Sequence, residues 1–219
     1  MKHTKSLKDK IIKTDHQLSK TKKMEGYSLI ELIFAMVLTL VILGIAVAAF
    51  SSALSTRQRE LSKTDAITSA QAALNIMSRE IGNSGYGLVD NGIVLTDSTT
   101  KQLHFRTNTN NSGYSYATDQ PGEDVTFYFD AASQSVVRYD RSTGITSGII
   151  NRVSDVDFEY YNYLPDGTNT QGAASPTTGR VKIKLQVTLK DVQGQPKNQK
   201  VFITSDVTLR NSTYHLGQY

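Results

Sequence analysis

The sequence predicts an α+β protein in which one long N-terminal helix, half of it in a membrane, packs on an antiparallel β-sheet domain. Three observations predict it. A lysine-rich leader runs directly into an uncharged apolar segment, helical periodicity continues past that segment to Ile81, and from Gly92 onward the pattern changes to alternation at period two. The charge is distributed to match. The 219-residue chain carries 24 Lys plus Arg against 20 Asp plus Glu, a net of +4, but residues 1–26 alone hold eight Lys against Asp9, Asp15 and Glu25. The remaining residues, 27–219, hold 16 bases and 17 acids, a net of −1. The body therefore lacks the basic excess of a nucleic-acid-binding domain, and no nucleic-acid partner is indicated. The chain has no Cys, which removes disulfides, thiolate metal sites and cysteine nucleophiles together.

The first element is the leader with its apolar sequel. Leu32 to Thr56 carries no formal charge and as a helix extends roughly 38 Å, enough to cross a hydrocarbon core of about 30 Å. It is too long for the apolar region of a cleaved secretory signal, which runs about 7 to 15 residues. Lysine-rich flanks stay cytoplasmic, so the N-terminus faces the cytoplasm and the body is exported. Glu31 breaks the pattern. It sits two positions inside the apolar run that starts at Leu29, where a carboxylate costs about 2.5 to 3.5 kcal/mol if carried to the bilayer centre. It either marks the membrane boundary or has a partner.

The surrounding residues, Lys22-Lys23-Met24-Glu25-Gly26-Tyr27-Ser28-Leu29-Ile30-Glu31-Leu32, resemble the processing site of class III signal peptides in type IV pilins and their relatives. Matched position by position, Gly26 is the last leader residue, Tyr27 the new N-terminus and Glu31 the fifth mature residue. The resemblance implies a pilin-like fold, cleavage between Gly26 and Tyr27 by a prepilin peptidase, and N-methylation of Tyr27. It also implies that Glu31 pairs with the terminal amine of a neighbouring subunit during assembly. Tyr27 replaces the more usual Phe, the leader is long, and Ala48 stands where many major pilins have a Pro, so the match is not to a typical major pilin. A second stretch, Ala72 to Gly87, with Arg79-Glu80 ahead of Gly82-Asn83-Ser84-Gly85-Tyr86-Gly87, is similar to PilW-type minor pilins.

Beyond the span, Ile67, Ala70, Leu74, Met77 and Ile81 recur at spacings of three and four and form the seam by which the helix packs on its own β-domain. Helix runs from about Ser28 to Ile81, and Gly82-Asn83-Ser84-Gly85 ends it. The strands expected are Gly92 to Leu95, Gln102 to Arg106, Asp124 to Asp130, Ser135 to Asp140, Gly148 to Val153, Asp155 to Tyr163, Arg180 to Lys190 and Lys200 to Arg210. In the penultimate one Val181, Ile183, Leu185, Val187 and Leu189 alternate with Lys182, Lys184, Gln186, Thr188 and Lys190, one dry face and one wet. The connection from Asp191 to Gln199 predicts an antiparallel hairpin with the last strand. Asn108 to Gly122 and Pro165 to Gly179 read as long polar loops. The organisation is thus a cleaved leader (1–26), a transmembrane and assembly helix (27–56), its amphipathic continuation and cap (57–87), and an extracytoplasmic β-rich domain (88–219).

Little in this chain suggests catalysis. His3 and His16 lie in the leader, His104 in a strand and His215 in the tail, and no nucleophile elbow, phosphate loop or metalloprotease motif occurs. Asp155, Asp157 and Glu159 share one strand face, and a straight strand does not wrap three carboxylates around an ion. They are expected to pair with Lys182 and Lys184 instead. No catalytic residue, cofactor or metal is expected. The resemblance implies a minor pilin of a type IV pilus, inserted in the bacterial inner membrane and used in filament initiation or at the tip. Its partners would be the prepilin peptidase and other pilins met through the N-terminal helix. A J-type minor pseudopilin of a type II secretion system shares the design. A bitopic membrane protein with an uncleaved anchor and a sensor or adhesive β-domain is the alternative of another class.

Overall fold

The computed structural model describes residues 26–110, 118–191 and 196–217. The leader before Gly26, the centre of the Asn108–Gly122 loop and the tip of the Asp191–Gln199 connection lie outside the described residues. Contacts divide the chain after Ser52 into two units.

In the first unit the helix α1 (Leu29–Gly82) begins. Ser28 supplies the first helical acceptor, its carbonyl taking the Leu32 amide at 3.1 Å. Every large apolar side chain from Leu29 to Leu54 is at least 45% exposed. Such a surface needs lipid or other protein around it, and α1 is long and apolar enough to cross a membrane.

In the second unit α1 continues and buries Ala66, Ala70, Ala73, Leu74, Met77 and Ile81 against two sheets. The expected seam is present, with Ile67 only half-buried. The alanines let the backbone approach closely, while Leu74, Met77 and Ile81 each contribute about 1.5–3 kcal/mol by leaving water. Eight strands follow: β1 (Gln102–Arg106), β2 (Asp124–Asp130), β3 (Ser135–Asp140), β4 (Ile145–Ile150), β5 (Val153–Tyr163), β6 (Asn169–Gly172), β7 (Thr178–Thr188) and β8 (Lys200–Thr208). They form two four-stranded antiparallel sheets in the orders β1-β2-β3-β4 and β6-β5-β7-β8. A short helix α2 (Thr213–Leu216), capped by Ser212, closes the described chain.

The two sheets share one core with α1. They are also tied by backbone: the Phe158 amide donates to the Thr100 carbonyl at 2.8 Å, and the Val153 amide to Gln134 at 2.8 Å. The Tyr160 hydroxyl, whose ionisation burial pushes upward, donates to the carbonyls of Thr99 and Gln102. The alternation in β7 is as expected, Val181, Ile183, Leu185 and Val187 being buried. Its pairing with β8 from Arg180↔Thr208 to Thr188↔Lys200 makes the hairpin.

Five expectations, four strands and one loop, are corrected. Gly92 to Leu95 is not a strand; only Ile93 bridges, to Phe105, because Gly92 turns the chain at positive φ. The strand placed at Gly148 to Val153 is β4, three residues earlier at each end, because Val153 already begins β5 on the other sheet. Within the expected loop Pro165 to Gly179 lies β6, which pairs with the end of β5. The strands placed at Arg180 to Lys190 and Lys200 to Arg210 end two residues sooner, at Thr188 and Thr208.

Candidate processing and assembly site

Gly26, Tyr27 and Ser28 precede α1 as non-helical chain. Nothing lies within 4 Å of the point where a Gly26 side chain would start, and Tyr27 is 84% exposed. A Gly-Tyr junction that is non-helical and exposed among the described residues, between a charged leader and an apolar helix, leaves its backbone open to close approach. Glu31 falls in the first turn of α1 and is exposed, where the unpaired amides of the helix end favour a carboxylate. Gly26, Tyr27 and Glu31 thus fall within six residues of chain at the N-terminal end of α1.

The carboxylates of β5 behave as paired surface groups. Lys101 Nζ lies 2.5 Å from Asp155 and 2.7 Å from Asp157, and Lys184 Nζ lies 2.5 Å from Glu159. Lys184 is the partner expected; Lys101, from the segment ahead of β1, was not legible in the strand pattern. Lys182 sits opposite Glu159 in register but forms no ion pair among the described residues. The Lys184 ammonium beside Glu159 holds that carboxyl below its ordinary value.

Sequence reasoning missed three polar arrangements, two of them buried and one half-buried. His104 is completely buried in β1, with Nδ1 2.9 Å from Asp97 and Nε2 2.5 Å from Asp124. Arg106 holds the other oxygen of Asp124 at 3.0 Å, and Arg141 reaches Asp97 at 2.8 Å. The hydrogen bond from His104 holds the Asp97 carboxyl below its usual value. Both ring nitrogens are occupied and the ring is shut off from solvent, so this is a clasp joining the 95–97 turn to β1 and β2, not an acid-base centre. Arg138 on β3 reaches Glu80 of α1 at 2.8 Å and pins the end of the helix to the sheet.

The third arrangement is Glu123, also fully buried. Its carboxylate accepts from the Thr109 amide and hydroxyl at 2.6 and 2.7 Å, the Asn110 amide at 3.3 Å and the Gln120 amide at 3.0 Å. Burial alone would raise its pKa, but the Thr109 hydroxyl and these amides outweigh it and hold the group below its ordinary 4.5. A folded-state pKa below the unfolded one gives stability that is complete above about 4.5 and is lost as pH falls through the folded value. Urea unfolding of Glu123→Gln should therefore show a deficit of about 2 kcal/mol at neutral pH that shrinks toward pH 3. A deficit independent of pH would refute that role for the carboxylate.

A cleft of about 510 Å³ lies between the Leu164–Gly167 turn and α2, with Tyr163 and Tyr214 stacked at 4.3 Å on its wall. Among the described residues no group of three or more His, Asp or Glu converges in a way that would hold a metal ion. No protein-family model, no curated protein and no solved structure matches the chain.

Proposed function

We propose that the chain is a minor pilin of a type IV pilus. In this reading it is inserted in the bacterial inner membrane, cleaved between Gly26 and Tyr27 by a prepilin peptidase, methylated at Tyr27 and incorporated through its N-terminal helix at filament initiation or at the tip. The observation that carries the reading is the run Gly26-Tyr27-Ser28-Leu29-Ile30-Glu31 at the head of a helix whose apolar half is wholly uncovered. A β-domain packed on the second half of the same helix supports it. Cleavage removes the lysine-rich leader and leaves a free amine one turn from Glu31, two opposite charges at the end of an apolar rod. Neither is comfortable in hydrocarbon until paired.

Mass spectrometry of the N-terminal peptide from native-host membranes tests this. A peptide that begins at Tyr27 and carries one added methyl group is expected. An intact lysine-rich start in cells with an active prepilin peptidase would overturn the reading in favour of an uncleaved bitopic protein. Recovery in a sheared surface filament fraction separates a pilus from a secretion pseudopilus, whose J-type minor subunit would carry the same processing site.

A further inference from the structure

The bases of the second unit are unevenly spent. Lys101, Arg106, Arg138, Arg141, Arg180 and Lys184 all stand in ion pairs. By contrast, Arg57, Lys63, Arg79, Arg152, Lys190, Lys197, Lys200 and Arg210 are exposed and form no ion pair among the described residues. Six of these eight, all but Arg79 and Arg210, share one end of the β-domain. The Ser62 hydroxyl donates to the Lys190 carbonyl, which places the base of the β7–β8 hairpin beside the start of the helix in this unit. The Leu189 amide donates to Gln199, and the Thr188 amide to Arg152, which brings the other bases to the same end. With Arg59, this end holds seven bases against Glu60, Asp65, Asp130 and Asp191. The rest of residues 27–219 holds nine bases against thirteen acids.

The basic end is also the one where the second unit begins, at Ala53, and the uncharged apolar run stops three residues into that unit, at Thr56. Residue 62 lies about 9 Å along the helix from that point, within one Debye length and within reach of a headgroup layer. We propose that this basic end of the β-domain rests on the anionic headgroups of the bilayer that the apolar half of α1 enters. The unassembled subunit is then held by two signals, an apolar span and a cationic footprint that salt weakens. The inference rests on the membrane-spanning part of the proposed function and not on the pilin assignment.

The absence of native cysteine allows a direct test. The full chain carrying Gln199→Cys, labelled with a fluorophore, is reconstituted into phosphatidylcholine vesicles containing a headgroup quencher, with or without phosphatidylglycerol at roughly one lipid in three. Quenching is expected to rise severalfold with phosphatidylglycerol, and to return to the zwitterionic level in about 0.5 M salt. It should likewise return when Lys190→Glu, Lys197→Glu and Lys200→Glu are combined. A label at Thr143→Cys, in the β3–β4 turn, should not respond. Circular dichroism of the triple variant checks that it is folded, and the salt titration needs no variant. A chain that fails to float with vesicles would overturn the span and the footprint together. A chain that floats but gives a signal independent of lipid charge and salt would overturn the footprint alone.

Discussion

Glu31→Leu is expected to leave cleavage intact and to remove the subunit from the filament, whereas Gly26→Leu is expected to leave the leader on nearly every molecule. The two outcomes separate because the residues act on different events. Gly26 lies in uncovered, non-helical chain, with open space where its side chain would be. A leucine there therefore meets nothing among the described residues. Its effect would fall on the proposed peptidase, which must bind the backbone at Gly26-Tyr27. Glu31 lies beyond that bond, inside the first turn of α1. Leucine at 31 makes insertion easier, since a carboxylate in the bilayer costs about 2.5 to 3.5 kcal/mol at the centre. In the proposed assembly, however, it would leave the terminal amine of a neighbouring subunit without its counter-charge, and stripping one partner from a buried pair costs about 3–5 kcal/mol. That is roughly a hundredfold to several thousandfold in each incorporation equilibrium. Intact mass of the membrane-held protein reads the first event, and the ratio of variant to wild type in sheared filaments reads the second. Incorporation of Glu31→Leu at the wild-type level would sink the pairing role and return Glu31 to a marker of the membrane boundary.

The parts legible in the sequence were those with a period. Apolar residues recur along α1 at three and four, and along β7 at two, so both elements and the faces they bury follow from the pattern. The limits of β1, β2 and β3 were equally clear because charged or polar turns bound short apolar runs. β6 had no such signal. Its residues Asn169-Thr170-Gln171-Gly172 are all exposed, and it is a strand only because the end of β5 offers it a backbone edge. The division into two sheets was invisible for the same reason: it depends on which edge Thr100 and Gln134 meet, not on side-chain alternation. The buried His104 clasp draws partners from residues 97, 124 and 141, which are far apart in the chain and follow no period. Glu123 was equally illegible, because its donors include backbone amides of Thr109, Asn110 and Gln120 that carry no sequence signature. The residues proposed for processing and assembly, Gly26, Tyr27 and Glu31, form by contrast a short-range pattern along the chain that can be read without knowing what the rest folds into.

Folding of the β-domain has its own single-residue test at Gly92. This residue stands at φ +72, and a side-chain carbon there would lie 2.3 Å from the Gly85 amide nitrogen and 2.4 Å from the Arg106 carbonyl oxygen. Both obstacles are backbone, and both belong to the stitch between the end of α1 and β1: the Gly85 amide donates to Arg106, and the Arg106 amide to Gly92. Relief would require moving the helix end or the strand, and either movement disturbs the core under Ile81, Ile93 and Phe105. Gly92→Ala should thus cost about 4 kcal/mol, lowering Tm by roughly 10 °C. Gly144 supplies the comparison, since it has nearly the same φ, +70, and nothing within 4 Å of the added carbon. There alanine meets only the left-handed backbone penalty, about 1 kcal/mol. Thermal unfolding of the full chain in detergent, followed at a β-sheet wavelength, measures both. Equal losses at the two positions would mean that the stitch yields without strain. A much larger loss at Gly92 makes the close approach of Gly85, Gly92 and Arg106 the joint on which the β-domain is hung from its helix.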